Sequence, residues 1–153
     1  AIAPREPSVV LDRVQDAGNV GTILRSAAAL GFTQIVAIKG TAALWSCKVL
    51  RAGMGAHFAL RLVEGADEAA LAELEMPLLA TSSHAERALH DTVLPWPCAW
   101  LLGHEGQGVS AALLRRCSDT LRIPQPGGEE SLNVAAAAAV CCYESVRQRL
   151  ARG

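Results

Sequence analysis

Ile123-Pro124-Gln125-Pro126-Gly127-Gly128-Glu129-Glu130-Ser131-Leu132-Asn133-Val134-Ala135 joins an apolar run to the clearest helical pattern in the chain. The run Thr120–Pro124 reads as a strand that stops at proline, which has no N–H to donate. A Pro/Gly loop follows, and Ser131 stands where a helix N-cap belongs. Beyond it, Leu132–Leu150 has helical periodicity. Leu132, Ala136, Val140, Tyr143 and Leu150 fall near one face, while Glu144, Arg147 and Arg149 lie elsewhere. A strand that runs through a short loop into a helix is half of a βαβ unit.

The same grammar recurs upstream. Apolar runs at Val9–Val14, Gln34–Lys39, Phe58–Val63, Leu78–Ser82 and Cys98–Leu102 read as further strands. Helical patterns lie between them at Val20–Leu30, Ala43–Gly53, Ala66–Leu74 and Ser110–Cys117. The strands are mostly continuous apolar runs, as expected when both faces are covered. The expected fold is therefore α/β, a mainly parallel sheet with helices on both faces. With 153 residues, 51% of them apolar, one domain is expected over 1–153. The first strand starts almost at once, so a further N-terminal domain is expected in the longer protein.

Composition restricts partners and compartment. The 14 basic and 15 acidic residues nearly cancel, and a net charge of -1 speaks against this domain holding RNA by itself. Five cysteines, an odd number without C-x-x-C spacing, exclude a disulfide framework and a zinc ribbon and fit reduced cytoplasmic thiols. No metal site is expected: His57, His84 and His90 lack ligand spacing. The N-terminal residues carry no apolar signal core, and no apolar run is long enough to span a membrane.

Three strand exits carry polar chemistry. In Asp16-Ala17-Gly18-Asn19-Val20-Gly21-Thr22-Ile23-Leu24-Arg25-Ser26, Asn19 is either an N-cap or a ligand-facing group, and Arg25 either a solvated helix residue or part of a site. In Leu101-Leu102-Gly103-His104-Glu105-Gly106-Gln107-Gly108-Val109-Ser110, the glycine order is G-x-x-G-x-G. That order disfavours a nicotinamide-binding Rossmann site. The alternatives there are a polar turn with an exposed Glu105, or a backbone that approaches a ligand closely. In the third exit, a capped helix explains Ser131 fully and Asn133 poorly.

Taken together, these stretches resemble the motifs of the SpoU family within the SPOUT superfamily of methyltransferases. The first is similar to N-x-G-x-x-x-R, the second to G-N-E-G-x-G-[LVI]-S, and the third to I-P-x-x-G-x-x-E-S-L-N-V-A. The likeness runs from about Val9 to Leu150. Two positions depart from it: Ala17 replaces a common Pro, and His104 replaces the usual Asn. The resemblance implies a C-terminal trefoil knot, S-adenosylmethionine as cofactor and a homodimer. It implies methyl transfer to a ribose 2′-hydroxyl of transfer or ribosomal RNA. The alternative is a non-catalytic RNA-binding or ribosome-assembly factor that retains the fold. By matched position, Asn19, Arg25, Glu105, Ser131 and Asn133 are implied around the reacting hydroxyl. Thr81, Ser82, Gly103, Gly108, Ile123 and Leu132 are implied around the cofactor.

Overall fold

The computed structural model describes residues 1–128 and 132–153. Ser131 lies outside the described residues. Six strands form one parallel sheet: β1 (Ser8–Asp12), β2 (Gln34–Ile38), β3 (Arg61–Ala66), β4 (Leu78–Thr81), β5 (Ala99–Gly103) and β6 (Asp119–Leu121). The order across the sheet is β3-β2-β1-β5-β4-β6. Every paired neighbour is parallel, which requires a crossover at each connection. The expected α/β class holds.

The two faces are covered differently. Helices α1 (Ala17–Ala29), α2 (Cys47–Gly53) and α4 (Val134–Arg152) stand over one face, packed on Val9, Leu11, Ile35 and Trp100. The other face, built on Val10, Val36, Ala80 and Leu101, is closed by a 3-10 helix at Glu68–Glu73 and by the short α3 (Ala111–Leu114).

Several expected boundaries move. The strand expected at Phe58–Val63 starts later, because Met54 and Gly55 both take left-handed φ, 53° and 88°. That turn leads into a 3-10 helix at Ala56–Ala59, and β3 follows. The helix expected at Ala66–Leu74 is the 3-10 helix Glu68–Glu73, capped by Asp67. It stops at Leu74, whose backbone is extended, and Pro77 holds Met76 extended as well.

The last helix carries the largest corrections. It starts at Val134, and its N-cap is Asn133, not Ser131: Asn133 Oδ1 accepts from Ala135 N at 2.8 Å and Ala136 N at 3.1 Å. The stripe Leu132, Val140, Tyr143 and Leu150 points outward rather than into the core. Ala135, Ala138, Cys141 and Cys142 are buried instead. Small side chains let α4 approach α1 and the sheet closely, and larger ones would overpack that layer. Its buried polar groups are satisfied. Ser145 Oγ accepts from Trp100 Nε1 at 3.0 Å, and Gln148 bonds Leu94 N and Thr92 O.

The loop after β4 also closes on the chain leaving β6. Arg122 N donates to Arg87 O, and Leu89 N donates to Arg122 O. A knot of the kind the resemblance implies would close here.

Candidate functional site

Strands β1, β5, β4 and β6 are consecutive neighbours, so their C-terminal ends open side by side. In open α/β sheets that edge is where ligands bind. A cleft of about 1010 Å³ lies there. Leu101, Leu102, Val134 and Ala137 give it apolar walls, and Asn19, Glu105 and Asn133 line it with polar groups.

The β1 exit is organised by Asp16, which caps α1 by accepting from Asn19 N at 3.0 Å. Asn19 is thus not the cap, and its side chain is available. It donates to Glu105 Oε2 at 3.4 Å and accepts from Asn133 Nδ2 at 3.1 Å. Three residues from three separate strand exits form one hydrogen-bonded chain. Glu105 further accepts from Gln15 N at 3.1 Å and Asp16 N at 2.9 Å. Partial burial raises the Glu105 pKa, but the hydrogen bonds from Gln15, Asp16, its own backbone and Asn19 together hold it below the ordinary glutamate value. It is a carboxylate at neutral pH, and a weaker base than an ordinary one.

The β5 exit is a tight glycine loop. His104 N donates to Gly108 O at 3.2 Å, and Gly108 N to His104 O at 2.8 Å. Gly103 is needed because a Cβ there would sit 2.1 Å from Val109 N and 2.2 Å from the Gly108 carbonyl carbon. Gly108 is needed for its φ of 71°. His104 Nδ1 accepts from Gly106 N at 3.0 Å and Gln107 N at 3.1 Å. Backbone N–H groups can only donate, so Nδ1 is unprotonated and the neutral ring carries its proton on Nε2. The imidazole thereby makes the turn-closing bonds that an Asn carboxamide makes elsewhere.

Two residues that sequence reasoning missed hold this loop against β1. Buried Asp12 accepts from Ser110 N at 2.8 Å and from Arg13 Nε at 3.1 Å. Arg13, itself at φ 61°, donates to Gln107 Oε1 at 2.9 Å and Gly108 O at 3.3 Å. The signal was an acid–base pair closing an apolar strand, Val9-Val10-Leu11-Asp12-Arg13.

The expected site residues separate as follows. Asn19, Glu105 and Asn133 come together, and Thr81, Ser82, Gly103, Gly108, Ile123 and Leu132 all line the same cleft. Arg25 does not line it. Its side chain is exposed on α1, and it makes no hydrogen bond or ion pair among the described residues. Ser131 lies outside the described residues. Among the described residues, no three His, Cys, Asp or Glu side chains lie close enough to hold a metal ion. No described helix is long and apolar enough to cross a membrane. All five cysteines are free.

The sequence profile of the SpoU rRNA Methylase family matches residues 6–143. The chain belongs to this family. One SpoU relative is the 23S rRNA (guanosine-2'-O-)-methyltransferase RlmB of Bordetella pertussis. It is 35% identical over 145 residues, covering 92% of this chain and 59% of the relative. The chain thus spans about three fifths of that protein's length. Among solved structures, the SpoU methyltransferase AviRb from Streptomyces viridochromogenes in complex with AdoMet superposes with a TM-score of 0.89 at 31% identity. That match covers 98% of this chain and 63% of AviRb. A structure described as giving insights into the 2-OH methylation of C/U34 on tRNA matches with a TM-score of 0.82 at 31% identity. It covers 97% of this chain and 94% of the other. The SpoU likeness therefore includes the whole sheet and all three strand exits.

Proposed function

We propose that this chain transfers a methyl group from S-adenosylmethionine to a ribose 2′-hydroxyl of RNA, with ribosomal RNA as the substrate class. The observation that carries this reading is the Glu105–Asn19–Asn133 chain at the edge of the strand-end cleft. It joins residues far apart in sequence into one polar rim.

The cleft suits the cofactor. Gly103 leaves the backbone bare where any side chain would collide, and Gln125 Oε1 is buried without a hydrogen-bond partner while Gln125 lines the cleft. Thr81, Ser82, Gly103, Gly108, Ile123 and Leu132 hold the cofactor there. When bound, it supplies an electrophilic methyl on a positively charged sulfur.

The chain's own residues position the ribose. Asn19 and Asn133 fix each other's amides and each keep an N–H for a sugar oxygen. Glu105 organises rather than accepts protons, since three donors already occupy its oxygens. Ser131, which lies outside the described residues, is assigned to the reacting hydroxyl by matched position alone. Arg25 keeps its proton; it binds phosphate and stabilises the negative charge that develops on the attacking oxygen. The hydroxyl proton leaves to water at the cleft mouth. Alignment carries much of the rate.

Because Arg25 is turned away from its own chain's cleft, it serves the cleft of a second copy. The protein is therefore a homodimer, and the outward stripe of α4 supplies an apolar surface for the contact. It acts in the cytoplasm, where free thiols persist.

The test is transfer of labelled methyl from S-adenosylmethionine to 23S rRNA, with transfer RNA as a parallel substrate. Mapping of 2′-O-methyl positions identifies the product. Incorporation into 23S rRNA that is lost in Asn133→Ala supports the reading. Incorporation into transfer RNA alone moves the substrate class. Cofactor binding with no transfer to either RNA leaves the non-catalytic factor.

A further inference from the structure

The near-neutral total charge hides a strong separation. Residues 17–63 contain no Asp or Glu at all, while Arg25, Lys39, Lys48, Arg51 and Arg61 fall within them. The rest of the chain therefore carries nine basic residues against all 15 acidic ones. In space this acid-free stretch is α1, β2, α2 and the 3-10 helix at Ala56–Ala59. Arg25, Lys48 and Arg51 are exposed and have no ion-pair partner among the described residues. One-sided charge of this kind attracts polyanions even when the sum is close to zero.

The same stretch displays rings outward. Phe58 is 87% exposed and Trp45 50%, with Met54, 69% exposed, between them in sequence. The display is built. The left-handed pair Met54–Gly55 turns the chain sharply before Phe58, and left-handed φ at a residue with a side chain is uncommon. Trp45 is steadied by the His57 ring at 5.0 Å between centroids, and His57 is pinned through Nε2 to Leu44 O at 2.7 Å.

α2 is tied to α1, the helix whose first turn carries Asn19 at the cleft. Gly21, two residues after Asn19, lets α2 pack directly on the first turns of α1. A Cβ at Gly21 would lie 2.5 Å from Ala52 Cβ and 2.8 Å from Val49 O.

We infer that the exposed side of residues 45–58, α2 and the 3-10 helix that follows it, is the RNA-docking surface of this chain, with Lys48 and Arg51 on phosphates and Phe58 and Trp45 stacking unpaired bases that flank the target nucleotide. This rests on the methyltransferase reading for its substrate class, but it is tested separately. Charge decides for RNA over a second copy at this face: two such faces, each with Lys48 and Arg51 unpaired among the described residues and only Glu64, beside Leu44, to offset them, would repel. Aromatic rings beside cations are the composition that binds single strands with little sequence preference.

The experiment measures binding of a labelled single-stranded RNA of mixed sequence by fluorescence anisotropy over a salt series. Wild type is compared with Phe58→Ala and with Lys48→Gln/Arg51→Gln. S-adenosylhomocysteine affinity and light-scattering mass are measured on each. Phe58→Ala is expected to weaken RNA binding roughly 5- to 160-fold, the range for one stacked base. The double variant is expected to flatten the log–log salt slope by about 1.4, two phosphates at about 0.7 each. Cofactor affinity and mass should not change. RNA binding equal to wild type in both variants overturns the surface, as does wild type that binds no RNA at low salt. A fall in mass in Phe58→Ala also overturns it and assigns the face to a second copy. Methyl transfer that survives with RNA binding unaltered in the variants removes only the surface. RNA binding that depends on Phe58 without transfer by wild type removes only the enzyme reading.

Discussion

At the scale of single residues, Glu105 holds the glycine loop, and Arg25 is proposed to stabilise the charge that develops on the attacking oxygen. Glu105 ties the glycine loop to the start of α1, and its lowered pKa fixes the sign of the pH effect. A depressed folded-state pKa contributes stability that is present above the unfolded value, about 4.3, and is lost as pH falls through the folded value. Denaturation midpoints should therefore show no Glu105 contribution to pH dependence from 6 to 8. Below about 4.3, wild type should lose stability relative to Glu105→Gln. At pH 7 the substitution should cost about 1 kcal/mol, since the pairs are solvent-exposed. Arg25 is exposed and makes no hydrogen bond or ion pair among the described residues, so Arg25→Ala should leave stability and S-adenosylhomocysteine affinity unchanged. Single-turnover methylation should nonetheless slow by roughly 2.7–4 kcal/mol, the loss of one transition-state donor. Arg25→Lys should keep part of the rate, because charge remains while the planar fork is lost. Full activity in Arg25→Ala would show it to be a solvated helix residue.

At the scale of elements, two glycines do different jobs at two close approaches. At Gly103 a methyl group would strike the backbone of residues 108–109, which cannot yield without opening the loop. Gly103→Ala should abolish cofactor binding by calorimetry even where circular dichroism shows the fold intact. At Gly21 the clash is with α2. Gly21→Ala should cost about 1–3 kcal/mol, the usual range for overpacking, and should leave cofactor affinity nearly unchanged. Equal effects of both substitutions on cofactor binding would contradict the assignment of the loop. These jobs were half legible in the sequence. G-x-x-G-x-G after an apolar strand marks a loop that needs bare backbone, but the contact between Gly21 and Ala52 joins segments with no local sign of each other. Asp12 and Arg13 escaped for the same reason, since their partners Ser110, Gln107 and Gly108 follow some 95 positions later.

At the scale of the whole molecule, the outward stripe of α4 is the feature that one copy leaves unsettled. Val140, Tyr143 and Leu150 are exposed on a helix whose buried apolar residues are Ala135, Ala138, Cys141 and Cys142. Light scattering should give about twice 16.0 kDa, and Tyr143→Glu should shift the mass toward the monomer by placing a charge in an apolar contact. Such a variant should lose methyl transfer while it retains cofactor affinity, because Arg25 would no longer reach a neighbouring cleft. A monomeric wild type with full activity would defeat both statements.

The sequence by itself determined the strand–loop–helix order, the parallel sheet and the three exits that carry polar residues. Continuous apolar runs, glycine order and helical periodicity are local properties, and burial on both faces of a strand writes itself into each short stretch. What the tertiary structure decided is non-local. Asn19 and Ser131 had the capping readings, and only packing made Asp16 the cap of α1, made Asn133 the cap of α4 and freed Asn19 to bridge Glu105 and Asn133. The apolar stripe of α4 looked like a core face until close packing on α1 gave the core to Ala135, Ala138 and Cys141. Periodicity finds a face but does not say which way it turns; that is set by which side chains are small enough for the layer they meet.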